Sequence, residues 1–176
     1  EAEMNRTLIE VEDLMGKFRI SEALMAIYKL FWDEFSSWYL EVIKPAYGSP
    51  IDGKTFDKTL HFFDTLLRLL HPFMPFITEE LWQHLTDRNC GESIMTARLP
   101  KAESYDEEAI ARFDYLKEVI AGIRTVRKQK QIPQKDSLEL LVKGPHNGSL
   151  DSILEKMGNL SDILSIEEKP AAAASF

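Results

Sequence analysis

Histidines and carboxylates close together are the raw material of metal sites and proton-transfer sites. This chain has one such run, LLHPFMPFITEELWQHL from Leu69 to Leu85, which holds His71, Glu79, Glu80 and His84. A metal site on helices needs ligands repeated on one face, as in His-Glu-x-x-His or the paired Glu-x-x-His of di-iron bundles. Neither pattern occurs, and Glu80 with His84 has the four-residue spacing of a surface pair along a helix. Cys90, the single cysteine, has Asp87 and Glu92 nearby, and acidic neighbours disfavour the thiolate that a nucleophile requires. No Gly-rich phosphate loop and no Gly-x-Ser-x-Gly elbow is present. The residues predict a binding module with no catalytic residue, no metal and no bound cofactor.

The same run has a structural reading. Pro72 stops a helix that ends near His71, and an imidazole is favoured at that end. Pro75 suits the first turn of the next helix, where its missing N–H is not needed. Glu79 and Glu80 follow near that turn. Ile77, Leu81 and Leu85 are expected to face inward, with Phe73, Phe76 and Trp82 filling around them. This is the composition of a buried corner between two helices.

The elements around the corner are mostly helical. Apolar residues at three- and four-residue steps predict a helix from about Ala2 to Met15. A second runs from an N-cap at Ser21 to Pro45, with a core face of Leu24, Ile27, Tyr28, Phe31, Phe35, Trp38, Tyr39 and Val42. Lys29, Asp33, Ser36, Ser37, Leu40 and Lys44 fall on its opposite, polar face. A turn-rich loop, Ala46 to Gly53, precedes a helix from Lys54 to Leu70, with Phe56, Leu60, Phe63, Leu67 and Leu70 inside. The corner helix ends near Asp87, and Arg88 to Ala102 reads as loop. A long helix from Asp106 to Gln131 is closed by Pro133. The period then changes. A strand over Ser137–Gly144, a turn cluster PHNGS, a helix over Leu150–Leu160 and a strand over Asp162–Lys169 form a β-α-β segment too small to stand alone. The expected fold is a mainly α antiparallel helical bundle over residues 1–133, with a small, incomplete α/β appendage over 134–176.

Composition limits the partners. With 176 residues, 44% hydrophobic and 28% charged, the chain has globular proportions. No apolar run approaches the ~20 residues of a membrane span, so no membrane partner is expected. A lone cysteine suits a reducing compartment, which points to the cytoplasm. The net charge of −8 argues against indiscriminate nucleic-acid binding but permits a local basic face. Lys117, Arg124, Arg127, Lys128 and Lys130, with Lys135 after them, supply one; only Glu118 opposes them in that stretch.

Three ordered motifs carry a resemblance. HPFMPFITEELWQHL, FWDEFSSWYLEVIKP, and SIMTARLP followed by IAGIRTVRKQKQIP together resemble the anticodon-binding domain of class I aminoacyl-tRNA synthetases for branched aliphatic amino acids. The valyl-enzyme version matches best, and the resemblance runs from about Asn5 to the end. It implies a parent enzyme that ligates valine to its tRNA using ATP. The family's His-Ile-Gly-His and Lys-Met-Ser-Lys-Ser motifs are absent, so the chain reads as an excised piece. That piece would lack the family's first bundle helix and its catalytic and editing domains. The partners implied are the anticodon stem-loop of valine tRNA and the catalytic domain of the same polypeptide. The candidate contacts are Ser37, Leu40 and Lys44 on the second helix: a hydroxyl for base edges, an apolar contact and a cation for phosphate. Arg124, Arg127, Lys128 and Lys130 on the fifth helix are the others. The alternatives are a helical protein-interaction scaffold without RNA binding and the anticodon domain of the isoleucyl or leucyl relatives.

Overall fold

The computed structural model describes residues 1–144, 146, 148–168, 170 and 173–175. Its chain forms two compact units, Glu1–Asp106 and Glu107–Phe176. The fold is mainly helical with one small sheet. The division falls at Asp106 rather than at Pro133, because the long helix of the second unit packs against the helix that follows it.

The first unit begins with α1 (Ala2–Gly16), which buries Leu8, Val11 and Leu14. Phe18, at φ 58°, ends it, and Arg19 N–H returns to Leu14 O at 2.9 Å. The next helix, α2 (Ile20–Lys29), starts one residue before the expected Ser21 cap. Arg19 occupies the cap position without a side-chain cap bond, and its Nε donates instead to Glu22 Oε1 at 2.6 Å. Residues Leu30–Tyr39 continue as a π-helix, and α3 (Leu40–Ile43) closes the segment. A helix, α4 (Gly53–Leu70), then starts at Asp52, whose carboxylate accepts from Thr55 N–H at 2.9 Å, a conventional N-cap.

This α4 helix serves two cores, so more than one stripe of it is buried. One side contributes Phe62, Leu66, Leu69 and Leu70 to a cluster with Leu8, Val11, Ile27, Leu30 and Phe35. The π-helical aromatics interdigitate there: the rings of Phe35 and Phe63 stack at 6.1 Å, and Tyr39 meets Phe62 edge-on at 5.2 Å. Such pairs contribute about 0.5–1.5 kcal/mol each beyond their burial. The other side contributes Leu67 to a smaller cluster with Trp82 and Ile94. Phe56, expected inside, is about half exposed.

The corner forms as the two prolines require, and α5 (Pro75–Leu85) has Pro75 in its first turn. Its buried face differs from the expected one. Thr78 and Trp82 are buried, whereas Phe76, Ile77 and Leu81 are exposed. Hydrogen bonding explains the rotation. Trp82 Nε1 donates to Asp64 Oδ1 at 2.7 Å, and the Arg88 guanidinium lies 3.5 Å above the indole. Thr78 Oγ1 donates to Met74 O at 2.8 Å and lies 2.7 Å from His71 Nδ1. A hydroxyl has one proton, so with that proton on Met74 O the imidazole donates to Thr78. His71 thus ties the end of α4 to the start of α5.

Glu79 anchors the segment that crosses α5. Its carboxylate accepts from Gln83 Nε2 (2.7 Å), Ser93 Oγ (2.7 Å) and Ile94 N–H (3.1 Å). Ser93 in turn caps the short 3₁₀ turn Ile94–Thr96.

The second unit contains α6 (Glu107–Lys130), β1 (Leu138–Lys143), α7 (Asp151–Gly158) and β2 (Leu160–Ile166). The strands pair in parallel, Leu140 opposite Ile163 and Val142 opposite Ser165, as a β-α-β connection requires. β2 starts two residues before the expected Asp162 because Asn159 turns the chain immediately after α7, at φ 49° and ψ 60°. Pro145 and Asn147 of the expected turn, and Lys169 at the expected strand end, lie outside the described residues. α6 and α7 approach closely at Gly158, where a Cβ would come within 3.3 Å of Ile123 Cδ1.

The donors around Glu79, Gln83 first and then Ser93, hold its carboxyl below the usual 4.5. A depressed carboxyl adds stability above its unfolded value and loses it as pH falls through the folded one. Urea unfolding of wild type and Glu79→Gln should therefore show wild type more stable near neutral pH, with the gap closing well below pH 4.5. A gap independent of pH would contradict this assignment.

Candidate nucleic-acid interface

The two candidate surfaces are not built as the helical wheel suggests. At about 100° per residue, Ser37, Leu40 and Lys44 share one polar face. The chain from Leu30 to Tyr39 instead winds as a π-helix, in which each bond spans five residues; Leu40 N–H bonds to Phe35 O. The extra residue per turn shifts the phase of everything after it. Leu40 therefore turns toward the core and packs partly buried against it. Ser37 and Lys44 remain exposed. Ser37 Oγ donates to Trp32 O, five residues back, at 2.8 Å, so what it can still offer a base is an acceptor lone pair. Lys44 ends the helix with Nζ 3.5 Å from Glu41 Oε1. The structure does not make a continuous polar face of these three residues.

Tyr28, expected in the core, lies in α2 before the π-helix, so the phase change does not account for its exposure. Tyr28 and Trp32 are both about half exposed.

On α6 the largest correction concerns Arg127, which is 2% exposed. Its Nη1 donates to Pro133 O (3.1 Å) and Asp136 O (2.8 Å). Its Nη2 donates to Gly158 O (3.0 Å) and Asn159 O (2.9 Å). Four carbonyls from two turns converge on the two Nη groups, and the remaining Nε is buried, so no exposed donor is left there for a phosphate. The signal for this was in the sequence: Leu116, Ile120, Ile123 and Arg127 are spaced four, three and four apart, so Arg127 continues the buried stripe.

The neighbouring cations differ. Arg124, Lys128 and Lys130 are exposed at the end of α6, with Lys135 beyond it. Among the described residues, Lys128, Lys130 and Lys135 have no side-chain hydrogen bond or ion pair. Lys117 pairs with Asp114 at 3.0 Å. Their setting, a helix C-terminus, favours cations whether or not a phosphate is bound.

No group of three or more His, Cys, Asp or Glu among the described residues could hold a metal ion. His84 and Glu80 meet at 3.1 Å as an exposed pair. No helix is long and apolar enough to cross a membrane among the described residues.

Residues 1–142 match the family described as the anticodon-binding domain of tRNA ligase. The chain belongs to this family. The match takes in the whole first unit together with α6 and most of β1. Similar proteins include a valine–tRNA ligase of Parabacteroides distasonis, 55% identical over 99% of this chain and 20% of its own length. One of Phocaeicola vulgatus is 56% identical over 100% of this chain and 20% of its own. One of Thermotoga maritima is 35% identical over 98% and 20%. The chain thus spans about a fifth of the length of these relatives.

Arg127→Lys should cost on the order of 3 kcal/mol, because one ammonium cannot satisfy four buried acceptors in a fork geometry. Urea unfolding gives the magnitude, and faster amide exchange at Leu138 and Leu160 would locate the loss beside the Arg127 clamp. A variant within about 0.5 kcal/mol of wild type, as for an ordinary surface change, would contradict the clamp.

Proposed function

We propose that this chain docks the anticodon stem-loop of valine tRNA, as the tRNA-recognition part of an enzyme that joins valine to that tRNA with ATP. Membership of the anticodon-binding family is the observation that carries the reading. The names of its relatives supply the amino acid, and ATP belongs to the complete enzyme rather than to any residue described above. The remainder of the same polypeptide is the second partner.

Sequence-specific RNA recognition targets loops whose bases can be splayed out, stacked and hydrogen-bonded. Lys128, Lys130 and Lys135, with Arg124 beside them, are suited to phosphates. Ser37 and Lys44, with the exposed part of Leu40, are the candidate contacts on the second helix. Arg127 supports the fold behind the lysines and makes no RNA contact in this reading.

Two measurements on the full-length protein test it. Filter binding should favour valine tRNA over the same tRNA with an altered anticodon; equal affinities would overturn the reading. The double variant Lys128→Ala, Lys130→Ala should flatten the dependence of log affinity on log salt by about 1 to 2, the loss of one or two phosphate contacts. An unchanged slope would remove this face from the interface.

A further inference from the structure

On the outer side of the second helix, the rings of Tyr28 and Trp32 stack with centroids 6.4 Å apart and planes 6° from parallel. Both residues are about half exposed. Large aromatics usually bury in a core or find partners in one, as Phe31, Phe35 and Tyr39 of the same segment do. Here two rings lie nearly parallel at the surface where α2 passes into the π-helix. Lys29 lies between them in sequence and is exposed, with no side-chain partner among the described residues. Trp32 is also linked to Ser37 through the hydroxyl bond to its carbonyl.

We propose that Tyr28 and Trp32 form a stacking platform for an unpaired base of the bound RNA loop, with Lys29 on the adjoining phosphate. The inference rests on the RNA-docking reading above and adds a base-binding position to it. Three features match the chemistry of a nucleotide. An exposed ring face of a parallel aromatic pair accepts the π-face of any base. An unpaired ammonium beside it complements a phosphate. Ser37 and the exposed carboxylate of Asp33, which can accept from a base amino group, stand within about one turn for the base edge. Asp33 disfavours a phosphate at its own position, which leaves the phosphate to the Lys29 side.

The test uses the full-length protein and anticodon stem-loop RNA carrying 2-aminopurine at successive loop positions. Trp32→Leu keeps apolar bulk and removes the π-system, whereas Trp32→Phe keeps a ring. Stacking is worth about 1–3 kcal/mol per base, so Trp32→Leu should weaken binding roughly 5- to 150-fold. It should also abolish 2-aminopurine quenching at one loop position, with the salt slope unchanged. Trp32→Phe should retain most of both. Equal binding by the Leu and Phe variants, with RNA still held at wild-type affinity, would overturn the platform and leave the docking reading standing. A Trp32→Leu protein that melts at lower temperature but binds RNA as wild type would also overturn it and assign the pair to packing against another protein segment. Wild-type protein that fails to bind the stem-loop would overturn both.

Discussion

A polar group taken out of water must find a partner or cost several kcal/mol. That constraint sorts the ionisable residues of this chain into those spent on the fold and those left for a ligand. Arg127 belongs wholly to the fold. It gathers the carbonyls of Pro133, Asp136, Gly158 and Asn159, and so sets where α6 ends, where β1 can begin and how α7 hands over to β2. Glu79 and Asp64 have similar roles in the first unit. Glu79 holds Ser93 and Ile94, and Asp64 receives the indole of Trp82 while pairing with Arg68 at 2.7 Å. The lysines at the end of α6 have no such obligations among the described residues.

The second determinant is helical phase. Ten π-helical residues in the middle of a long helical segment change which side chains face out. The core keeps its aromatics, because Phe31, Phe35 and Tyr39 still meet Phe62 and Phe63 of α4. The outer surface after it changes, because Leu40 turns partly inward; Tyr28, before it, and Trp32, at its start, are exposed. The surface of this segment is therefore aromatic toward its start and polar toward its end.

Much of the fold was legible in the sequence. The prolines at 72 and 75 mark the corner, the change of period after Pro133 marks the strands, and three motifs carry the family. What was not legible followed from partners that a single helix cannot reveal. The inward face of α5 is set by Asp64 on another helix, which draws in Trp82 as expected and leaves Ile77 and Leu81, expected inside, exposed. A π-helix has no simple apolar signature, so a wheel drawn at α-helical pitch misplaces Leu40. Arg127 was a different kind of miss. Its position on the buried stripe of α6 was readable, but its charge suggested a surface role.

The central claim is that the lysines the fold leaves without partners meet RNA. Chemical acetylation of lysines in the full-length protein, with and without the anticodon stem-loop of valine tRNA, tests it directly. RNA should suppress modification of Lys29, Lys128 and Lys130. Lys17 and Lys58, paired with Asp13 and Glu1, should react as before. Equal modification of Lys128 and Lys130 with and without saturating RNA would contradict it.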